Sequence, residues 1–323
     1  MTQVAVADVG GTHARFALAE VEGKRVISLG EPVTLKTAEH GSFQLAWEEF
    51  GRRAGIALPK ALAIAFAGPV GGEVLKLTNN PWVIRPALIK ERLGVDRYVV
   101  VNDFGAVAYA VATLPPEHFS HLCGPDRPLP NEGVTSIVGP GTGLGVAALL
   151  KKPDHYEVIE TEGGHVDFAP LDAIEDMLLK RLRATYNRVS TERIVAGPAI
   201  VAIYEMLAEI EGRAVQRLDD KSIWLMALEG NDSLALAALD RFCLSLGAVA
   251  GDLALAQGAK GVIIAGGLGL RLKDHLLRSG FSERFAAKGR FRTMMEAIPV
   301  KLITHPQPGL FGAAAAYAQE HTR

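Results

Sequence analysis

Three times along this chain a short apolar run gives way to a cluster of glycines. The clusters are Asp8-Val9-Gly10-Gly11-Thr12, Gly139-Pro140-Gly141-Thr142-Gly143-Leu144-Gly145 and Ala265-Gly266-Gly267-Leu268-Gly269. A turn without Cβ atoms lets backbone N–H groups come close to an anion, which is how phosphates are cradled. Such turns also serve hairpins, where glycine only supplies a positive φ. Both readings stay open for any one turn. Two other nucleotide loops are excluded. No G-x-x-x-x-G-K-[ST] occurs, so there is no Walker-type loop. The first two clusters lie between strands, and the third has Leu272 where a dinucleotide fingerprint needs glycine.

Around these turns strands alternate with helices. Residues 4–7 and 15–20 read as strands, with 25–35 a third in the same meander. Phe43, Leu45, Ala46 and Phe50 fall at helical spacing within 42–56. Strands follow at 61–67, 74–77 and 97–101, then a helix over 104–114 that Pro115-Pro116 stops. The segment 123–133, rich in proline, glycine and charge, reads as a connection. Strands at 135–138 and 146–150 then repeat the opening pattern. Placing Gly11-Thr12 on Gly141-Thr142, 130 residues later, brings Phe16, Ala17 and Leu18 onto Val146, Ala147 and Ala148. Two related lobes and a chance match of small residues both account for this. Helices are expected at 171–186, 198–211, 221–229 and 233–257, and a strand at 261–265 with a helix from about 270. A last strand and helix fall at 300–304 and 309–320. The interleaving is that of an α/β sheet protein.

The 323 residues suffice for two domains or one large one. Formal net charge is -2, so no broad basic field draws the chain to nucleic acid or anionic membrane. Cys123 and Cys243 are too few for a disulfide framework or a cysteine zinc site, and suit a reducing compartment. The start, Met1 to Asp8, lacks the basic and long apolar stretches of a signal peptide. No apolar run approaches the ~18 residues needed to span a bilayer. The expectation is a cytoplasmic protein whose partners are small molecules, with neither nucleic acid nor membrane among them.

Polar residues concentrate in a few places. Asp8 precedes the first glycine turn; beside a phosphate a carboxylate needs an intervening cation, and Mg2+ takes one or two carboxylates plus phosphate oxygens. An Asp that only bonds its own turn is the alternative. Asn102-Asp103 ends a buried strand, at the sheet edge where ligands bind in open α/β folds. There Asp103 is suited to accept a proton from an attacking hydroxyl, or to cap the helix that follows. Glu162-Gly163-Gly164-His165-Val166-Asp167-Phe168 sets a carboxylate and an imidazole around two glycines, suited to polyol hydroxyls. A polar loop and a metal site are the competing readings. Glu192 in Val189-Ser190-Thr191-Glu192-Arg193 reads equally as a capping-box glutamate or a surface charge.

Together these segments resemble the bacterial glucokinases of the non-ROK type, within the hexokinase and actin-like ATPase superfamily. The resemblance runs end to end. It includes Leu77-Thr78-Asn79, Asn102-Asp103-Phe104, the glycine turns, Glu162 to Pro170, Ser190-Thr191-Glu192-Arg193 and Pro308-Gly309-Leu310-Phe311-Gly312. The run from Glu162 to Pro170 is its most specific part. It implies an actin-like (ribonuclease H-like) duplicated fold of two lobes with a cleft, the small α/β lobe from 1–113 plus 304–323 and the large one from 114–303. It also implies ATP-dependent phosphorylation of glucose at the 6-hydroxyl, usually by a homodimer. Asp103 would be the general base, and Asn79, Asn102, Glu162, His165 and Glu192 would bind sugar hydroxyls. Asp8, Val9, Gly10, Gly11 and Thr12 with Gly141, Thr142 and Gly143 would hold the ATP phosphates. Gly266 and Gly267 would lie near the adenosine, and Asp8 would hold Mg2+ through water. His13 replaces a usual Asn and Ala7 a usual glycine, both on the nucleotide side. The cysteine-rich zinc motif of ROK kinases is absent. A kinase of another hexose, or a sugar-sensing regulator or actin-like ATPase acting through partners, are the alternatives; a regulator would need a DNA-binding element ahead of the first strand.

Overall fold

The structure, a computed structural model, describes residues 1–77 and 80–321. It divides into two compact units: Met1–Pro115 with Val158–Glu160 and His305–Arg323, and Pro116–Glu157 with Thr161–Thr304.

The first unit is built on a six-stranded sheet. Its strands are β1 (Thr2–Val9), β2 (His13–Glu22), β3 (Arg25–Leu29), β4 (Val33–Lys36), β5 (Ala61–Phe66) and β8 (Arg97–Asn102). A separate hairpin joins β6 (Leu75–Lys76) to β7 (Val83–Ile84). The order is β3-β2-β1-β5-β8, with β4 also on β2. β1 runs antiparallel to β2 and parallel to β5, which is parallel to β8. The strand expected over 25–35 is two strands. At Gly30 the chain leaves β2, its N–H reaching Leu18 O at 2.8 Å, and Pro32, which has no N–H, precedes the return along the start of β2.

Alternation along the strands assigns each residue to a face. Ala5, Ala7 and Val9 join Phe16, Leu62, Ile64 and the helix Phe43–Ala54 in one core. Val4 and Val6 join Ala17, Ala19, Ala61, Ala63, Ala65, Val99 and Val101 in the other, under the helix Pro308–His321. That helix is lined with Ala313, Ala314 and Ala316, and the alanine-rich face of the sheet lets it approach closely. Asp8 shares the parity of Val4 and Val6, so it faces the start of this helix.

The second unit repeats the plan. Its sheet comprises β9 (Phe119–Cys123), β10 (Gly133–Pro140), β11 (Leu144–Lys151), β12 (Tyr156–Thr161, of which Val158–Glu160 count with the first unit), β13 (Ala259–Ile264) and β14 (Val300–Ile303), in the order β12-β11-β10-β13-β14-β9. β10 is antiparallel to β11 and parallel to β13, which is parallel to β14. The sequence β12-β11-β10-β13-β14 thus matches β3-β2-β1-β5-β8, as two related lobes require. The register refines the match. Val9 pairs with Ala14 across four turn residues, whereas Pro140 pairs with Leu144 across three, so the second turn is one residue shorter. Strands β9 and β12 were not expected from the sequence. They are edge strands, whose mixed burial lacks the apolar run of the central ones.

Helices cover this second sheet. The longest, Ser233–Gln257, is capped by Asp232, whose side chain accepts from Ala235 N, and ends at left-handed Gly258. By length and composition it is apolar enough to cross a membrane, although Asp240, Arg241 and Asp252 interrupt it. Its most apolar stretch is 72% buried inside the protein, and Phe242, Leu246, Ala250 and Ala254 belong to the core. It is a core helix.

Candidate active site

The first glycine turn closes the β1–β2 hairpin. Gly10 N donates to His13 O at 3.0 Å, while Gly11 O accepts from Thr37 Oγ1 (2.7 Å) and Asn80 Nδ2 (3.2 Å) and Thr12 O accepts from Thr37 N (3.0 Å). The carbonyls are therefore tied back into the unit, and no described residue takes the N–H of Gly11 or Thr12. Asp8 does not bond its own turn. Its Oδ2 meets Arg15 Nη1 at a long 3.4 Å, and the carboxylate packs against Gly309 at the start of the helix Pro308–His321. A Cβ on Gly309 would stand 3.2 Å from Asp8 Oδ2. Burial pushes the Asp8 carboxyl above its usual range, with Arg15 only partly offsetting it. A carboxylate kept in this state is short of positive charge. Ala7 is wholly buried between Phe16 and Ile64, so its methyl group is absorbed by the core.

In the same unit β8 passes directly into the helix Asp103–Thr113. The cap is Asn102, whose Oδ1 accepts from Phe104 N (2.9 Å) and Gly105 N (3.1 Å) and whose Nδ2 donates to Gly68 O (3.2 Å). Asp103 is thereby relieved of capping and becomes the first helical residue, half-buried, with Oδ1 also 2.9 Å from Phe104 N. Asn102 has both carbonyl lone pairs committed, so only an amide hydrogen remains to meet a ligand. A residue the sequence did not single out completes this junction. Glu160 Oε1 accepts from Asn102 N at 2.7 Å and covers Gly105, where any Cβ would stand 2.5 Å from that oxygen.

The second unit holds the other glycine turns and the Glu162 loop. Gly141 N donates to Gly143 O at 2.8 Å, and no described residue takes the N–H of Thr142 or Gly143. The third cluster is a strand-to-helix junction, and its helix, Gly266–Arg271, begins earlier than the sequence suggests. Gly266, at φ +83°, lies so close to Pro140 that a Cβ would stand 2.7 Å from its carbonyl oxygen. The second and third turns therefore adjoin.

Glu162 precedes and His165 ends a single 3-10 turn, Gly163–His165, with both side chains exposed and 3.9 Å between His165 Nε2 and Glu162 Oε2. The two glycines let this turn lie flat on β11. A Cβ on Gly163 would meet Val146 Cγ1 at 2.9 Å, and one on Gly164 would overlap Leu144 O. Thr191, also missed by the sequence, ties the turn down, its Oγ1 donating to Gly164 O at 2.7 Å and its N to Val166 O at 2.8 Å. Arg188 Nη2 donates to His165 O at 2.6 Å and Arg188 Nε pairs with Asp167 at 2.7 Å. Glu192 is neither capping-box residue nor idle surface charge. Its Oε2 accepts from Leu144 N at 3.0 Å.

No group of three or more His, Cys, Asp or Glu converges on one point among the described residues. A divalent cation bound here would thus need most of its oxygens from a ligand. Asn79 lies outside the described residues.

Three comparisons bear on this arrangement. The family model described as Glucokinase matches residues 5–320. The chain is 63% identical over 320 residues to a glucokinase of Zymomonas mobilis subsp. mobilis, covering 99% of each. The crystal structure of a glucokinase from an Antarctic psychrotroph superposes with TM-score 0.86 at 33% identity, covering 99% of this chain and 100% of that one. The fold extends to a ROK family glucokinase from Streptomyces griseus, solved with glucose and AMPPNP, at TM-score 0.65 and 19% identity over 98% of this chain and 99% of that one. Free N–H groups at two glycine turns, a carboxylate at a strand end and a carboxylate–imidazole pair sit on the duplicated actin-like fold of these enzymes, and with a full-length match the chain belongs to the glucokinase family.

Proposed function

We propose that the chain transfers the γ-phosphoryl group of ATP to the 6-hydroxyl of glucose, giving glucose 6-phosphate and ADP. The full-length 63% identity to a glucokinase carries this reading, and the Streptomyces griseus relative solved with glucose and AMPPNP is in keeping with it. Asp103 accepts the proton of the 6-hydroxyl as its oxygen attacks phosphorus. Asn102 donates to a sugar hydroxyl, while Glu162, His165, Glu192 and Asn79 hold others. The N–H groups of Gly11, Thr12, Thr142 and Gly143 donate to phosphate oxygens, with Gly266 and Gly267 near the adenosine. Phosphoryl transfer asks mostly for positioning and charge stabilisation, which fixed backbone donors supply. Asp8 would hold Mg2+, and the ion would neutralise phosphate charge beside this carboxylate, which Arg15 compensates only in part. The family analogy further implies a homodimer working in the cytoplasm.

The deciding assay is ADP production from MgATP with glucose, mannose, fructose, N-acetylglucosamine or no sugar. Strong stimulation by glucose is the expected result. ATP binding without stimulation by any sugar overturns the reading in favour of a partner-driven ATPase.

Asp8 adds a prediction with two signs. Its folded-state pKa is raised, so the stability it contributes is fully present below its unfolded pKa and is lost as pH rises through the folded value. Asp8→Asn therefore raises the thermal midpoint of the nucleotide-free protein at pH 8, and the gain shrinks toward pH 4. The same variant needs ~10-fold more Mg2+ for half-maximal rate, because the carboxylate is gone. A variant less stable than wild type at pH 8 would contradict the burial argument.

A further inference from the structure

The segment 190–197 touches both the Glu162 loop and the second glycine turn. Thr191 holds the loop through Gly164 O (2.7 Å) and Val166 O (2.8 Å). The next residue, Glu192, holds the turn through Leu144 N at 3.0 Å. Gly197 N grips its other end through Gly141 O at 2.7 Å. The contact at Gly143 is tight, since a Cβ there would stand 2.5 Å from Glu192 Oε2. Gly143 is not at positive φ, so its backbone tolerates a side chain and only the carboxylate forbids one.

We infer that Glu192 is a positioning residue for the nucleotide turn as well as a sugar ligand, and that glucose and nucleotide affinity are coupled through it. This rests on the kinase reading above. One carboxylate oxygen orders the turn by fixing Leu144 N; the other faces no described partner and is left for a sugar hydroxyl. Sugar bound to the second oxygen restricts the carboxylate and hence the turn, and nucleotide on the turn restricts the carboxylate in return. Such coupling is reciprocal in binding free energy.

The consequence is that a methyl group on the nucleotide turn impairs sugar binding. Calorimetric titrations with glucose and with AMPPNP, each alone, on wild type, Gly143→Ala, Glu192→Gln and Glu192→Ala decide it. Gly143→Ala weakens glucose ~10-fold with no nucleotide present, because the carboxylate must move off Leu144. Glu192→Ala weakens AMPPNP by ~10-fold, and Glu192→Gln, which keeps an oxygen for Leu144 N, restores most of that loss. Thermal midpoints within a few degrees of wild type show that the variants are folded. Wild-type glucose affinity in Gly143→Ala, or wild-type AMPPNP affinity in Glu192→Ala, overturns the inference. Wild type that binds AMPPNP but no glucose overturns the kinase reading instead, and the Glu192→Ala titration with AMPPNP still decides whether Glu192 holds the turn.

Discussion

Asp103→Ala is expected to bind glucose within about threefold of wild type and to turn over ~10²–10⁴-fold more slowly, the range general-base removal produces. The attacking hydroxyl is a poor nucleophile until its proton has somewhere to go. The junction around Asp103 is rigid. Asn102 caps the helix from the preceding position, Gly68 O fixes the Asn102 amide, and Glu160 holds the Asn102 N–H. None of these bonds uses the Asp103 side chain, so they persist in the alanine variant, which removes the carboxylate. Asp103→Asn sharpens the test. Its amide oxygen still accepts from Phe104 N, as Asp103 Oδ1 does at 2.9 Å, yet it cannot take a proton. The asparagine variant should be as slow as the alanine one. Turnover near wild type in either variant would remove Asp103 from the chemistry, and loss of glucose binding in both would make it a sugar ligand first.

How much of this was legible beforehand depends on whether a role is local in sequence. The central strands, the helices over 42–56 and 233–257 and the glycine turns were readable, because each is set by neighbours within a few residues. The match of Gly11-Thr12 to Gly141-Thr142 pointed to duplicated lobes, and strand order turned an ambiguous pattern into a topology. The one-residue difference between the two turns was hidden, since only pairing across the hairpin reveals it. Long-range partners were hidden for the same reason. Nothing near Glu160 in sequence signals that its carboxylate meets a backbone N–H 58 positions away, and nothing around Glu192 signals Leu144. Asp103 shows the opposite error of local rules. A preferred capping residue beside a helix start was an obvious cap, but Asn102, one position earlier, has the extended backbone a cap requires and takes the role.

Gly312→Ala tests the packing beneath this site, and two physical effects predict opposite signs. In an exposed helix interior, alanine in place of glycine stabilises by about 1 kcal/mol. Gly312, however, lies where the helix Pro308–His321 crosses Asp103–Thr113. A Cβ there would overlap the carbonyl oxygen of Ala106 and stand 3.1 Å from Ala110 N. The obstructing atoms are backbone of a helix, which cannot rotate away as a side chain would. Relief requires the helices to separate, which loosens the packing of Ala313, Ala314 and Ala316 against Ala63 and Ala65. Overpacking of this kind costs about 1–3 kcal/mol or more, so the steric term outweighs propensity. The expected result is a thermal midpoint lowered by about 5–10 °C. Activity falls with it, because the displaced helix begins at Asp103, while Thr142 and Gly143, proposed above to meet the nucleotide, rest on other elements. Gly71→Ala is the control: a Cβ there meets nothing within 4 Å and its backbone is not at positive φ, so it should leave the midpoint within a degree or two of wild type. A Gly312→Ala variant as stable as that control would mean the two helices can part without loss, and the close approach of alanine-faced elements would not be what holds Asp103 in place.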